Sequence, residues 1–250
     1  MPKKTWKLTD NIFKICFVKR GAMRKRMGHG RDTFEWSNGY WSLNTGPVQV
    51  DPWKMLRIHG YRDLEKVRPV IRKAADDIAV LAEGLMAPQA HSLKIDVISY
   101  GDDFMELADG TVFENVDFGS VLDKAPAVVV VVLTLGRALD EAVVSAMDKF
   151  EPLDALFLET AGWLGIESAT KSFARDLKKT ARAHGRRVTR RLGPGYSYKI
   201  SGREMNWPLE QQRRLFDVFG NVELPITLLE SCAMLPKMSR SGMYGLSLLN

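Results

Sequence analysis

Residues 191–196 of this 250-residue chain, Arg-Leu-Gly-Pro-Gly-Tyr, have the side chains best suited to holding a small molecule. A guanidinium is a planar fork that binds a carboxylate through two parallel hydrogen bonds. Gly195 removes the Cβ that would keep a ligand away from the backbone. Pro194 fixes the bend. Tyr196 adds a flat apolar face and a hydroxyl. Such a set suits a ligand with an amino-acid end and an aromatic end. The plain alternative is a Gly-Pro-Gly turn that only reverses the backbone, and the hexapeptide alone does not separate the two.

No other cluster competes for metal or nucleophilic chemistry. The two cysteines, Cys16 and Cys232, are far apart and form neither a disulfide framework nor a zinc pattern. They suit a reducing cytoplasm. The four histidines are scattered, and no metal site and no catalytic acid–base residue is expected. A glycine fingerprint after a strand is missing, as is a P-loop, so a Rossmann methyltransferase and ATP-driven chemistry are not expected. The longest apolar run, Ala125 to Leu135, is far short of the roughly 20 residues of a membrane helix. The first twenty residues lack the unbroken apolar stretch and small-residue cleavage site of a signal peptide.

The elements that must carry the hexapeptide follow from pattern. Asp51-Pro52 is a helix N-cap with proline in the first turn, and that helix ends at Gly60. A second helix is predicted from about Leu64 to Leu85. Ser92 to Tyr100 alternates as a half-buried strand, and Asp109-Gly110 turns between two short strands. Val128 to Leu135 is β-branched throughout and predicts a central strand buried on both faces. A helix follows from Leu139 to Phe150. Pro152 opens a long one that runs to Ala183 and stops at His184-Gly185. Its first half is apolar and rich in small residues, and its second half is basic and amphipathic. Pro208 opens another helix, to about Phe219. Strands near Val222–Leu228 and Gly242–Leu248 close the chain. Strands mixed with helices, without a regular βα repeat, predict an α+β fold with a largely antiparallel twisted sheet packed with helices. Residues 1–48 are basic, with scattered aromatics and glycines. They are expected to form a partly ordered extension to a domain spanning residues 49–250.

Net charge is +6. The excess sits in the first 31 residues and in Lys178, Lys179, Arg182, Arg186, Arg187, Arg190 and Arg191. The plain reading is a solvated face and a loose arm. Nucleic acid, anionic membranes and acidic proteins are attracted alike, and charge alone gives a nucleic-acid role little support.

Three blocks in order resemble the activation domain of cobalamin-dependent methionine synthase and its freestanding relatives. Arg191-x-x-x-Gly195-Tyr196 is similar to that family's Arg-x-x-x-Gly-Tyr motif. Residues 229–242, from Leu229-Glu230-Ser231 through Met234 and Pro236 to Ser239-Arg240-Ser241-Gly242, resemble its second block, with Leu229 where the family has threonine. Leu56-Arg57-Ile58-His59-Gly60-Tyr61 is similar to a stretch of the freestanding members. The resemblance covers about four-fifths of the chain.

It implies a protein that binds S-adenosylmethionine and supports reductive methylation of a corrinoid carried by a partner. Occasional oxidation strands such corrinoids, and rescue takes an electron and a methyl group from S-adenosylmethionine. Arg191 would hold the methionyl carboxylate, with Gly195 and Tyr196 in the same site. Ala233 matches a position that meets the ligand through its backbone. Glu167 matches a ligand-contacting glutamate, although pairing with Lys171 one helical turn away explains it equally well. Asp51 matches a further ligand-contacting aspartate, with a different spacing to the following glycine, and its N-cap role alone would also explain it.

The implied partners are a corrinoid-binding protein or methyltransferase and an acidic electron donor such as flavodoxin, met by the basic face around Arg186 and Arg190. No nucleic acid and no membrane is expected. The chain lacks Asp-x-His-x-x-Gly, so it is not expected to carry corrinoid itself. It ends at Asn250, before a further ligand-contacting tyrosine of the family, so a less complete pocket is expected. The alternative is a non-catalytic subunit or docking module of a corrinoid-dependent methyltransferase system.

Overall fold

Strand β5, Ala127–Thr134, is the axis of the molecule, and every one of its residues is buried. In a computed structural model of the chain, residues 39–200 and 202–249 are described. Branched side chains suit a strand covered on both faces. Val129, Val131 and Leu133 point into one hydrophobic cluster, while Val128, Val130 and Val132 point into a second.

Antiparallel neighbours flank β5. On one side lies β2 (Gln89–Tyr100), which also pairs with β1 (Gly39–Asn44) and, past a register shift at Val97–Ser99, with β3 (Phe104–Leu107). The short β4 (Val112–Glu114) completes that edge. On the other side lies β11 (Ser239–Leu248), followed by β6 (Arg186–Val188). The order is β4-β3-β2-β5-β11-β6, with every pairing antiparallel.

One face of the sheet is covered by helices α1 (Pro52–Ile58), α2 (Pro69–Leu85), α4 (Ala138–Asp148) and α5 (Pro152–Ala183). The other face is covered by α3 (Phe118–Val121), by α6 (Gln212–Asp217) and by Trp207. Hairpins β7–β8 (Ser197–Ile200 with Arg203–Asn206) and β9–β10 (Thr227–Leu228 with Met234–Leu235) stand apart as two-stranded sheets. This is the α+β, largely antiparallel fold predicted from the pattern. No helix among the described residues is long and apolar enough to cross a membrane.

The small residues of α5 have a structural use. A Cβ on Gly162 would sit 2.6 Å from Leu139 Cδ2, and one on Gly165 would sit 2.7 Å from Met86 Sδ. Their absence lets the helix settle onto its neighbours rather than onto a ligand.

Two expectations change. The helix predicted from Leu64 is broken: Leu64–Lys66 is a 3₁₀ turn, and α2 begins at Pro69. Arg68, which precedes that proline, is pushed to an extended conformation with ψ 136°. Of the strand predicted over Val222–Leu228, only Thr227–Leu228 pairs. Strands β6, β7 and β8 were not predicted, being short and rich in charged and polar residues. Within the expected extension, β1 pairs along its length with β2. Residues 1–38 of the expected extension lie outside the described residues.

Candidate functional site

The residue 191–196 loop leaves β6 and is tied at four points. Leu192 and Met243 exchange backbone hydrogen bonds of 2.9 and 2.8 Å, which fastens the loop to β11. The Gly193 N–H donates to Tyr198 Oη at 2.5 Å, and that hydroxyl donates to the Gly193 carbonyl at 2.9 Å. The Gly195 N–H donates to the Trp207 carbonyl at 2.7 Å, and the Trp207 N–H donates to Tyr196 O at 3.1 Å. Trp207 itself is fully buried, edge-on to Phe113 and Phe118. The bend is therefore anchored to the core, while Gly195 (φ +81°) and Tyr196 are exposed at its tip.

Arg191 turns back across β11. Its Nη1 donates to the Ser241 carbonyl at 2.5 Å, and its guanidinium carbon lies 5.2 Å from the centre of the Tyr196 ring. The approach needs a strand residue without a side chain. A Cβ on Gly242 would lie 2.9 Å from Arg191 Nη1 and 3.0 Å from its Cγ, and would also strike the Leu192 carbonyl.

On the helix-covered face of β11, next to this crossing, stand Arg240 and Tyr244. Arg240 Nη1 donates to Glu167 Oε2 at 2.5 Å, and Lys171 Nζ lies 3.3 Å from Glu167 Oε1. Tyr244 is buried against Phe173. Burial pushes its phenol up to about 12, opposed by the charges of Arg191 and Arg240 and reinforced by Glu167. Arg191 and Glu167 thus act on one phenol, although they are 24 positions apart in sequence. A cation, a carboxylate and two aromatic rings, Tyr196 and Tyr244, gather around one stretch of β11.

Glu167 has a lowered pKa, chiefly from the Arg240 hydrogen bond; burial opposes it, and Lys171 assists. A depressed carboxylate stabilises the fold fully above its ordinary value of 4.5, and that contribution is lost as pH falls through the folded-state value. Thermal melts of wild type and Glu167→Gln should therefore differ most near neutral pH and converge in acid. A constant gap across pH would show that the ion pair is silent.

A buried relay ties together the two ends of the 229–242 segment. Ser241 Oγ donates to Gln212 Oε1 at 2.9 Å, and Gln212 Nε2 donates to the Cys232 carbonyl at 2.8 Å. Cys232 is left-handed (φ 63°) in the turn that ends at Ala233. Ala233 is exposed, its carbonyl accepting from the Leu229 N–H at 2.8 Å. Gln212 thus fixes the Ala233 turn relative to the strand that Arg191 grips. Gln212→Leu would strand a buried hydroxyl and a carbonyl, at about 1–3 kcal/mol for each group left unpaired. A calorimetric melt should show the loss, and an unchanged melting temperature would refute the relay.

Asp51 keeps to its own helix. Its Oδ1 caps α1 by accepting from Trp53 N–H at 2.9 Å and Lys54 N–H at 3.4 Å. Lys54 Nζ also approaches its Oδ2 at 3.9 Å. The expected N-cap role is observed, and none of these contacts joins Asp51 to Arg191 or Glu167.

Three surface depressions lie elsewhere: one on α4 around Asp140 and Lys149, one lined by Arg175 to Val188, and one between Ala87 and Pro236. None of the three includes Arg191, Tyr196 or Glu167. Among the described residues no group of His, Cys, Asp and Glu could hold a metal.

No family model matches the sequence, and no curated protein matches it. The structure is similar to the crystal structure of the MetH reactivation domain bound to AdoHcy. The TM-score is 0.54, with 86% of this chain and 83% of that chain covered, at 16% identity. This chain has the fold of the MetH reactivation domain. Within that fold, Arg191 crosses β11 at Gly242 with Tyr196 beside its guanidinium, and Glu167 meets the same strand through Arg240. Ala233 is tied to the same strand through Gln212, and Asp51 caps α1.

Sequence reading gave no role to three residues around this strand: Arg240 and Tyr244 on its helix-covered face and Gln212 on the other. Arg240 and Tyr244 had a usable signal, because alternation along β11 puts both on the face that carries Gly242. Gln212 had none, since its partners are 20 and 29 positions away.

Proposed function

We propose that this chain binds S-adenosylmethionine on the β11 face and supports reductive methylation of a corrinoid carried by a partner protein. The observation that carries the reading is Arg191 lying across Gly242 beside Tyr196, with Tyr244 and the Glu167–Arg240 pair on the helix-covered side of the same strand, in a reactivation-domain fold. Arg191 would hold the methionyl carboxylate, with one nitrogen steadied by the Ser241 carbonyl. Tyr196, exposed at the tip of the bend and backed by the guanidinium, would present a flat face to the nucleoside. Glu167 would set its negative charge toward the ammonium or sulfonium group, sharing it with Arg240. Gly195 and the Ala233 turn would bring backbone up to the ligand.

When bound, S-adenosylmethionine supplies the methyl group. The acceptor would be a partner's corrinoid already reduced by one electron from an external donor, and S-adenosylhomocysteine would be left in the site. This chain contributes position rather than acid–base chemistry, holding the methyl in line with the corrinoid. An acidic donor of the flavodoxin kind would meet the basic surface at Arg190, which is exposed next to the loop. The reaction belongs in a reducing cytoplasm.

The test is titration calorimetry of S-adenosylmethionine and S-adenosylhomocysteine into wild type and Arg191→Ala. Binding that survives the substitution unchanged would remove the assignment.

One observation favours a second reading, a docking module without a donor site. Both oxygens of Glu167 are engaged, by Arg240 and Lys171, so a ligand cation must share or displace them. Wild-type protein that shows no heat with either sulfonium or thioether ligand, yet is pulled down by a corrinoid protein, would decide for this reading.

A further inference from the structure

The second half of α5 and strand β6 enclose a concave cleft of about 670 Å³, lined by Arg175, Lys178, Lys179, Arg182, Arg186, Arg187 and Val188. Six of the seven residues are cationic, as many charges as the whole chain's net excess of +6. Only Arg187 makes an ion pair among the described residues, with Asp123. Asp176, the single acid between Lys171 and Arg187, pairs with none of them.

Nothing in the fold requires this crowding. Arg175, Lys178, Lys179 and Arg182 fall on one helix face, so four like-charge pairs stand three or four residues apart: 175 with 178, 175 with 179, 178 with 182, and 179 with 182. Each opposes helix formation. Arg186 and Arg187, delivered by β6, add two more charges to the same concavity. A solvated basic face spreads its charges and is usually convex. This one is inward-curved, of small-molecule size, and walled by four guanidiniums, the group that matches phosphate oxygens two at a time. No aromatic ring lines it, so it has no platform on which a base could stack.

We propose that this cleft is a second binding site, separate from the β11 face, for the phosphate chain of a small polyphosphate-bearing molecule. Recognition is by the phosphates. A base or acyl chain attached to them extends into solvent. Arg182 and Lys178 face the ligand from the helix, Arg186 from the strand, and Arg187 is already steadied by Asp123.

The probe is inorganic tripolyphosphate, titrated calorimetrically into the full chain at fixed physiological ionic strength. Saturable one-to-one binding is expected. Lys178→Gln combined with Arg182→Gln should weaken it about tenfold or more, since losing even one charged contact corresponds to about that factor. The same charge removed at Lys54 and Lys66 should change it little. These positions are exposed, so the variants keep the fold. In the absence of ligand the cleft variant should melt higher than wild type at low salt, because repulsion is relieved. Two further arms identify the source of the phosphate. ATP matching tripolyphosphate points to a soluble nucleotide or polyphosphate. Binding confined to phosphatidylcholine vesicles carrying a phosphoinositide points to a lipid headgroup. Three results overturn the proposal: no saturable binding to any of these probes, equal weakening in the Lys54/Lys66 control, or polyglutamate binding as tightly as tripolyphosphate, which would mark an acidic-protein face instead.

Discussion

Arg191→Ala is expected to weaken S-adenosylmethionine binding by about 100-fold, while the melting temperature falls little. Hydrogen bonds to charged groups contribute on the order of 1.5–3 kcal/mol each, and a guanidinium offers two to a carboxylate. Truncation also leaves the ligand carboxylate facing the Ser241 carbonyl, with no cation to offset it. The fold tolerates the loss because Leu192, Gly193 and Gly195 hold the bend through their own backbone. Arg191→Lys should recover only part of the affinity, since a point charge cannot bridge both oxygens. Calorimetry with melts of the same samples separates the two effects. An affinity loss that merely tracked unfolding would reduce Arg191 to a structural residue.

Gly242→Ala should lower stability and binding together. The added carbon would meet the Leu192 carbonyl and lie 2.9 Å from Arg191 Nη1. The first of these is backbone, held by the Leu192–Met243 hydrogen bonds, and cannot swing aside. Overpacking of this kind costs typically 1–3 kcal/mol. For a chain of this size that is a fall in melting temperature of roughly 3–10 °C. Binding should fall further than stability, because the same carbon displaces the guanidinium. A Gly242→Ala protein with wild-type melting and wild-type affinity would mean that the crossing is loose in solution.

Sheet and helices were legible where one physical signal dominated. Val128 to Leu135 announces a strand buried on both faces, and β5 is that strand. Pro152 and Gly185 bracket α5 because one favours a helix start and the other a helix end. The Asp51 cap was legible for the same local reason. Long-range relations were not. Gln212 gives no periodic or compositional hint of its two buried partners. Glu167 pairs with Lys171 through a spacing visible in the sequence, and with Arg240 through a β11 position that only the fold reveals. The hexapeptide drew attention to Arg191 through residue type, yet its route over β11 depends on Gly242, 51 positions later. Strand β6 was missed because three residues, two of them arginine, carry no strand period.

Helix α5 is 32 residues long without interruption, about 48 Å of rod at 1.5 Å per residue. Glu167 and Arg182 ride on the same rod, about 22 Å apart along its axis. That spacing exceeds the roughly 8 Å over which charge is felt through physiological salt. Filling one end therefore leaves the field at the other almost unaltered. The helix works as a spacer bar rather than a signalling lever, so a sulfonium ligand and a polyanion should load independently, each with the affinity it shows alone.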